Sequence, residues 1–282
     1  MASATATAYL GPPGTFSEEA ALLHAGADAA LTPVASFPAV VAAVERGEAA
    51  DGVLPIENSL EGQVTPVLDL LIHQTRLKIK AEVVVPVRHV LAGAPGATLD
   101  GITLVTSHPQ GLGQCRRFLD QRLPNAEQVA ALSTAGAVAE VATGGDPTRA
   151  AIGPPRAVER YGAIVLARDI QDADGNETRF VVLGAEDAPP SGRDKTSLGF
   201  TVKANVPGAL LEILVVFADQ GLQMTKVESR PTKGGLGKYV FLVDLEGHRR
   251  DPAVAGALAL VEERCATLWI FGSYPRFSPP SS

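Results

Sequence analysis

An alternation of short β-branched runs and helical patterns, from residue 4 to about residue 185, is the feature that most limits the fold of this chain. Thr5–Leu10 precedes the helical pattern Phe16–Ala25, and Ile102–Thr106 precedes the pattern Gln110–Gln121. Such alternation favours parallel strands joined by crossover helices, with ligands bound at the carboxyl ends of the strands. The sequence therefore predicts an α/β fold for this region.

Two segments interrupt the alternation. Leu77–Val85 and Val87–Ala92 are extended runs with only Pro86 between them, and a strand pair of that length could carry the chain from one lobe to another. The polar, Pro- and Gly-rich stretch 186–195 contains no large apolar residue, which is typical of an interdomain linker. We place a domain boundary there.

The chain after the linker follows the order βαββαβ, which is the ferredoxin-like arrangement. The predicted elements are Thr196–Lys203, helix Gly208–Gln220, Leu222–Ser229, a Gly-rich turn at 233–237, Lys238–Leu245, helix Pro252–Arg264 and Ala266–Ser273. We therefore expect a second, smaller domain over residues 196–276, followed by a short tail at 277–282.

Composition excludes several classes of protein. The 282 residues carry a net charge of −7 and contain no basic run, which argues against nucleic-acid binding. Cys115 and Cys265 form neither a disulfide framework nor a thiolate metal site, and no histidine pair has zinc-ligand spacing. No apolar run approaches the ~18 residues of a membrane span, and the first residues lack signal-peptide character. We expect a cytoplasmic protein without a metal.

Two polar segments lie between predicted strands and helices. Gly11–Ser17 lacks the Lys of a phosphate-binding loop, but a helix N-terminus favours a carboxylate; the alternative is a tight turn with a cap. Glu57, Asn58 and Ser59 place a carboxylate, an amide and a hydroxyl at a strand end, unless Asn58 or Ser59 only caps the next helix.

Two further segments have the same setting. His108 has no acid or nucleophile at a diagnostic spacing, so capping or packing is the preferred interpretation, and the nearby Gly111 and Gly113 suggest close approach by a ligand or another backbone. In a regular strand Thr178 and Phe180 share one face and Arg179 the other, unless the strand begins or bulges there.

The motifs, taken together and in this order, resemble the prephenate dehydratase family, with a C-terminal part that resembles an ACT regulatory domain. The catalytic motifs are Gly11-Pro12-Pro13-Gly14-Thr15-Phe16-Ser17-Glu18, Pro55-Ile56-Glu57-Asn58-Ser59, Ser107-His108-Pro109-Gln110 and Asn176-Glu177-Thr178-Arg179-Phe180. The two effector-site motifs are Pro207-Gly208-Ala209-Leu210-Leu211 and Glu228-Ser229-Arg230-Pro231. The resemblance covers nearly the whole chain, and each motif alone would be a weak signal.

The resemblance implies a catalytic domain at 1–185 built as two lobes, like a type II periplasmic binding protein, with the active site between them. Lobe 1 would comprise about 1–85 and 165–185, and lobe 2 about 86–164. The implied reaction is the decarboxylating dehydration of prephenate to phenylpyruvate, a step of phenylalanine biosynthesis that needs no cofactor. Arogenate dehydratase and a non-catalytic phenylalanine sensor are the alternatives.

The resemblance also implies roles for individual residues. Thr178 would donate to the leaving hydroxyl, Arg179 would bind a carboxylate or form a supporting salt bridge, and Phe180 would wall the ring or pack. The implied substrate-binding residues are Thr15, Glu57, Asn58, Ser59 and Ser107. The implied effector site takes L-phenylalanine between subunits of a homodimer or dimer-based homotetramer, using Gly208, Ala209, Leu210, Leu211, Glu228, Ser229, Arg230 and Pro231. Because nothing helical precedes the first strand, we expect no chorismate mutase segment.

Overall fold

The computed structural model describes residues 6–232 and 238–278. Its elements up to residue 184 are β1 (Thr7–Leu10), α1 (Phe16–Ala25), β2 (Leu31–Val34), α2 (Phe37–Glu45), β3 (Asp51–Asn58), β4 (Gly62–Gln63), α3 (Thr65–His73), β5 (Lys78–Pro86), β6 (Val90–Gly93), β7 (Leu104–Ser107), α4 (Pro109–Gln114), α5 (Arg116–Arg122), β8 (Glu127–Ala130), α6 (Thr134–Gly144), β9 (Arg149–Gly153), α7 (Pro155–Tyr161), β10 (Ile164–Ala167) and β11 (Glu177–Gly184). A short 3₁₀ turn spans Leu99–Gly101. The later elements are β12 (Asp194–Val202), α8 (Ala209–Asp219), β13 (Met224–Pro231), β14 (Tyr239–Glu246), α9 (Pro252–Arg264) and β15 (Cys265–Pro275).

The first lobe is built on a sheet with the strand order β2-β1-β3-β11-β5, to which β4 adds by pairing with β3. β1 pairs in parallel with β2 and β3, whereas β11 runs antiparallel to both β3 and β5. The sheet is therefore mixed, because β11 enters it from the other lobe instead of through a crossover helix.

The second lobe has its own sheet, with the order β10-β6-β9-β7-β8. β5 ends the first sheet and β6 begins the second, so the chain crosses between lobes at residues 87–89. β10 pairs with β6 inside the second sheet, so the return crossing follows Ala167, a few residues later than the boundary at 165 expected from the sequence.

The predicted helix at 110–121 is divided at Cys115 into α4 and α5. Asp172, in the return crossing, lies at the break: its N–H donates to the Gln114 carbonyl oxygen at 2.7 Å, and its carboxylate accepts from the Arg117 N–H at 3.1 Å. The division thus arises from a contact with a residue far along the chain, which no local pattern encodes.

The C-terminal domain confirms the βαββαβ prediction. Its antiparallel sheet has the order β13-β14-β12-β15, with α8 and α9 packed on one face. β12 begins at Asp194, inside the predicted linker, because the Asp194 carboxylate accepts hydrogen bonds from the Ser191 and Gly192 N–H groups. The predicted Gly-rich turn at 233–237 lies outside the described residues.

The other face of this third sheet packs against the first lobe. Val240, Leu242, Phe271 and Tyr274 share one buried cluster with Ile79 and other residues of the first lobe. The Lys78 ammonium also donates to the Ile270 carbonyl oxygen at 2.6 Å. The two domains are therefore joined through a common core. In the portions of the chain that the structure covers, no helix has the length and apolar character that crossing a membrane requires.

Candidate active site

A cavity of about 370 Å³ lies between the two lobes, at the carboxyl ends of their strands. Residues of both lobes line it: Leu10, Thr15, Phe16, Ser17, Phe37, Pro55, Asn58, Val64, Val87, His89, His108, Gln110, Gly111, Gln114, Leu132, Ser133, Thr134 and Thr178. A more open groove of about 870 Å³ shares Asn58, Gln110 and Gln114 with it. We assign the site to the smaller cavity, because Thr178 is one of the residues that line it.

Three helices begin at the wall of this cavity. Thr15 caps α1, its Oγ1 accepting from the Glu18 N–H at 3.3 Å, and Ser133 caps α6 by accepting from the Gly136 N–H at 3.0 Å. His108 caps the short α4 through Nδ1, which accepts from the Gln110 N–H at 3.2 Å, as the sequence predicted. Helix N-termini carry partial positive charge and free N–H groups, so they suit an anionic ligand.

Of the described residues that line the cavity, none is Arg or Lys. The carboxylate contact that the resemblance implied as one of two roles for Arg179 therefore has no counterpart in the cavity wall. Neutral amides and hydroxyls and the three helix N-termini supply the polar groups there. The described residues also contain no group of three or more His, Cys, Asp or Glu side chains placed to hold a metal ion.

Asn58 holds the Thr178 hydroxyl in a defined orientation. The Asn58 Oδ1 accepts from the N–H groups of Leu60 and Glu61, both at 3.0 Å, which fixes which end of the amide donates. Its Nδ2 then donates to Thr178 Oγ1 at 3.0 Å, and also to Asn176 Oδ1 at 2.8 Å. Because Oγ1 accepts this bond, the hydroxyl proton of Thr178 is available to a ligand in the cavity.

Arg179 lies on the opposite face of the sheet from the cavity. Its guanidinium contacts Glu57 at 2.9 Å, Asp244 at 3.0 Å and Glu82 at 3.3 Å. Burial would lower the pKa of the guanidinium, but these carboxylates outweigh it and raise the pKa, so the charge is permanent. The structure thus shows a salt-bridge arrangement, one of the two alternatives that the sequence left open.

Phe180 lies on the same face of β11 as Thr178, but it is buried in the core and does not line the cavity. It is 2% exposed and packs in a cluster with Tyr9, Val83 and Val182, so it supports β11 from within the core. β11 is regular at this point, because Thr178, Arg179 and Phe180 pair in step with consecutive residues of β5. The shift in its register against β3 arises because Ile56 of β3 is skipped, so the bulge in β11 that the sequence left open is not found.

Three of the other predicted substrate-binding residues are occupied elsewhere. Ser107 is fully buried and its hydroxyl donates to the Ile152 carbonyl oxygen at 2.7 Å. Glu57 faces Arg179, and Ser59 ties β3 to β11, its Oγ accepting from the Glu177 N–H at 3.0 Å. Neither Asn58 nor Ser59 caps the next helix, since the residue before α3 is Val64.

The close approach suggested by Gly111 is explained by Ser107. A Cβ at position 111 would lie 2.8 Å from Ser107 Oγ and 3.1 Å from Thr134 Cγ2. The glycine therefore lets α4 pack closely against the end of β7 and the start of α6. The groups that approach it are the side chains of Ser107 and Thr134, and not a ligand or another backbone.

His89 is a cavity residue that the sequence did not single out. It is 2% exposed, its Nε2 is 3.0 Å from Gln114 Oε1, and its ring packs edge-on against Phe16. Burial lowers its pKa below 6.5, which keeps the imidazole neutral at pH 7. A lone histidine in a crossing segment carries no spacing signal, so only the fold brings it to the cavity.

The two lobes touch beside the cavity through Glu18 of α1 and Arg156 of α7. Arg156 Nε lies 2.8 Å from Glu18 Oε2, which also accepts from the Gly14 N–H at 2.8 Å. Burial would raise the pKa of Glu18, but these two donors outweigh it and hold the pKa below 4.5. Nearby, Gly14 has φ +86°, and a Cβ there would lie 2.9 Å from Ala157 Cα, so only glycine permits this approach of the lobes.

We expect Arg156→Met to weaken lobe closure. The Arg156 side chain is 36% exposed, so we expect a loss of about 1 to 2 kcal/mol in unfolding free energy, below the value for a fully buried pair. The KM for the cavity's ligand should rise about 5-fold or more, measured by steady-state kinetics. Arg160→Met, on the exposed side of the same helix, is the matched control and should change neither quantity.

The pH dependence follows from the same pair. The folded-state pKa of Glu18 is depressed, so its stabilising contribution is complete above about pH 4.5 and is lost as the pH falls through the folded-state value. Thermal unfolding of the wild type should therefore be more acid-sensitive below pH 4.5 than that of Arg156→Met. Parallel pH profiles would contradict the proposed role of this ion pair.

The predicted effector motifs lie at the start of α8 and on β13. Gly208 has φ +90° and precedes Ala209, the first residue of α8. Along β13 the pleat divides the second motif, because Glu228 and Arg230 share the face of Lys226 while Ser229 shares that of Val227. The Arg230 guanidinium contacts Asp69 of α3, so part of this motif faces the first lobe.

These observations define a class: a two-lobed α/β protein of the periplasmic-binding type, with the site in the interlobe cleft and a ferredoxin-like domain docked on one lobe. Comparison with known proteins gives the family. Residues 7–188 match the model described as prephenate dehydratase, and residues 196–259 match the ACT domain model. The chain belongs to the prephenate dehydratase family.

Two relatives match nearly the whole of this chain. A prephenate dehydratase of Mycolicibacterium gilvum is 41% identical, over 95% of this chain and 90% of that protein. A bifunctional chorismate mutase/prephenate dehydratase of Neisseria gonorrhoeae is 42% identical over 95% of this chain and 74% of its own length.

Two solved structures superpose closely. The prephenate dehydratase of Arthrobacter aurescens, in complex with L-Phe, has a TM-score of 0.87 and 38% identity, covering 96% of this chain and 90% of that chain. A protein described as GqqA, a novel type of quorum quenching acylase, has a TM-score of 0.86 and 33% identity, covering 97% and 98%. The same fold thus occurs under two functional descriptions.

Proposed function

We propose that this chain is a prephenate dehydratase, a carbon–oxygen lyase that converts prephenate to phenylpyruvate, carbon dioxide and water. The observation that supports it most directly is the Thr178 hydroxyl, which Asn58 orients so that its proton faces a cavity bounded by three helix N-termini. Membership of the family and the relatives' names point to the same reaction.

The proposed chemistry needs a positioned donor and an anion site. The bond between the ring and its carboxylate breaks to release carbon dioxide, and its electron pair moves through the ring as the C–O bond to the ring hydroxyl breaks. That hydroxyl leaves as water when it takes a proton that comes from solvent, which Thr178 relays or directs by a hydrogen bond, its own hydroxyl being restored. The helix N-termini hold the second carboxylate, and aromatisation supplies the driving force.

The cavity favours this role of Thr178 over that of an activated nucleophile. A nucleophilic hydroxyl gives its proton to an adjacent base, whereas Thr178 Oγ1 accepts a hydrogen bond from an amide. The protein described as a quorum quenching acylase is 33% identical over 97% of this chain, but a shared fold does not by itself fix which chemistry the site performs.

A side-by-side assay tests the function. The purified chain is incubated with prephenate and, separately, with arogenate, each with and without L-phenylalanine, and product formation is followed. We expect turnover of prephenate at the higher kcat/KM. A preference for arogenate would assign the alternative dehydratase, and binding of phenylalanine without turnover of either substrate would assign a sensor.

We further propose that L-phenylalanine binds the ACT domain and that the chain forms a homodimer or a dimer-based homotetramer. Leu211 and Val215 of α8 and Val227 of β13 are 62%, 40% and 47% exposed, and a second subunit would cover them.

Cys115 and Cys265 are buried free thiols, which suits a reducing compartment such as the cytoplasm.

Phenylalanine should therefore raise the melting temperature and lower the activity. At a concentration 100 times its Kd, a ligand that binds only the folded state adds about 2.7 kcal/mol to the unfolding free energy. Differential scanning fluorimetry and a prephenate turnover assay, each with L-phenylalanine and with D-phenylalanine as control, measure these two effects, and light scattering measures the oligomeric state. A monomer whose melting temperature L-phenylalanine leaves unchanged would contradict this part of the proposal.

A further inference from the structure

A buried cluster of six charges, here called the interface cluster, lies on the face of the first sheet opposite the cavity. Its members are Glu57, Glu82, Arg179, Lys195, Lys226 and Asp244. Three cations face three carboxylates, and a fourth carboxylate, that of Glu228, lies 3.8 Å from the Lys226 ammonium. The side chain of Arg179 is 14% exposed and that of Glu82 is 4% exposed, so these charges depend on one another and not on water.

Arg179 is the centre of this cluster. Its Nη1 contacts Asp244 and Glu82, and its Nη2 contacts Glu57 at 2.9 Å. Lys195 adds bonds of 2.8 and 2.9 Å to Glu82, and Lys226 lies 3.1 Å from Glu57. With its donors held by three carboxylates, the guanidinium serves the protein's own architecture.

The cluster is directly connected to Asn58 and Thr178, the hydrogen-bonded pair at the cavity. Arg179 follows Thr178 on β11, Glu57 precedes Asn58 on β3, and the register pairs Thr178 with Asn58 and Arg179 with Glu57. Successive residues of a strand point to opposite faces. The two residue pairs are therefore adjacent along β3 and β11. The Glu57–Arg179 ion pair lies on one face of the sheet, and the Asn58–Thr178 hydrogen bond lies on the other.

The cluster is equally connected to β13, which carries the second predicted effector motif and is here called the effector strand. Lys226 and Asp244 belong to β13 and β14 of the ACT domain, and they are paired in the register of those strands. Lys226 lies on the same face of β13 as Glu228 and Arg230, and Arg230 also contacts α3 of the first lobe. A displacement of β13 would therefore move the ammonium that faces Glu57.

We infer that Arg179 is a positioning residue that sets the Asn58–Thr178 hydrogen bond, and that the Lys226–Glu57 contact transmits the state of the effector strand to it. The inference rests on the proposed function and adds a physical route between the two sites. Effector binding shifts β13, the Glu57–Arg179 pair adjusts, and the donor on the opposite face loses its alignment. Arg179 itself does not contact the substrate.

The first test separates positioning from substrate binding. Arg179→Lys keeps the charge but loses the planar fork, so it cannot contact all three carboxylates at once. We expect kcat to fall about 10-fold or more with KM within about 2-fold, and Asp244→Asn, in the other domain, to shift kcat in the same direction. A rise in KM at unchanged kcat would mean that Arg179 binds a substrate carboxylate, and would overturn the inference.

The second test separates coupling from catalysis. Lys226→Met removes the ammonium that lies 3.1 Å from Glu57. Lys80→Met removes an ion pair with Asp51, at 2.7 Å, that lies within the first lobe. Lys80→Met should keep the basal kcat within about 2-fold, and for Lys226→Met the inhibition is expressed relative to the activity of the same variant without L-phenylalanine. We expect the L-phenylalanine concentration for half-inhibition to rise about 10-fold or more in Lys226→Met only.

The outcomes of the second test are distinguishable. Wild-type protein that turns over no prephenate would contradict the proposed function. Wild-type turnover and inhibition, with Lys226→Met inhibited like the wild type, would leave the proposed function standing and overturn the transmission route. Equal loss of inhibition in Lys80→Met would show a general charge effect and would also overturn it.

Discussion

Thr178→Val is expected to lower kcat by about 10²- to 10⁴-fold, the range that a positioned proton donor contributes. Valine retains the shape of the side chain but has no hydroxyl to deliver to the leaving group. Asn58 Nδ2 keeps its bonds to Asn176 and to the Glu177 carbonyl oxygen, so the surrounding structure should persist. Steady-state assay with prephenate, together with a melting curve, measures both effects.

The matched control for this variant is Thr178→Ser, which retains the hydroxyl and the bond from Asn58. Serine should recover most of the lost activity, within about 10-fold of the wild type, because only a methyl group is missing. Turnover by Thr178→Val within a few-fold of the wild type would remove Thr178 from the mechanism, whatever the serine variant does.

Gly272→Ala is expected to disrupt the docking of the ACT domain on the first lobe. A Cβ at position 272 would lie 2.7 Å from the backbone nitrogen of Ile79 and closer still to its carbonyl oxygen. These are backbone atoms of β5 that cannot rotate away, so one of the two sheets must move. Overpacking costs about 1 to 3 kcal/mol where side chains can adjust, and we expect about 3 kcal/mol or more here.

That loss corresponds to a fall in melting temperature of about 6 to 12 °C, using the size-dependent conversion for domains of this order. L-phenylalanine should also lose its effect on activity, because the contacts that join β13 to the first lobe depend on the same docking. Inhibition of Gly272→Ala as strong as that of the wild type, at an unchanged melting temperature, would contradict this account.

Gly256→Ala is the control for the glycine substitution. Gly256 lies in α9 of the same domain, and a Cβ there meets no atom within 4 Å. Alanine is the better helix former by about 1 kcal/mol, so this variant should be slightly more stable than the wild type. Opposite signs for the same chemical change would show that the effect at 272 is steric.

Much of the site could be predicted from local sequence, because strand ends and helix starts are encoded locally. Thr15, Asn58 and Thr178 all line the cavity, and His108 caps its helix as expected. Ser107 shows the limit of this reasoning: it has the right residue type at the right strand end, yet it is sealed against the Ile152 carbonyl oxygen. Ser133 and Thr134 line the cavity instead, at a helix start that the motifs did not mark.

The amino-acid sequence by itself determined the α/β alternation, the βαββαβ order of the second domain and the motif set that identifies the family, because periodicity, capping and motif spacing are short-range properties. Only the tertiary structure decided what each face of β11 meets. The pleat separates Arg179 from Thr178, but the partners of Arg179 are Glu82 and Asp244, 97 and 65 positions away. Glu82 meets Arg179 because their strands pair in the first lobe, and Asp244 meets it only because the ACT domain docks on that lobe, so tertiary contacts make Arg179 a structural support on the face opposite the cavity.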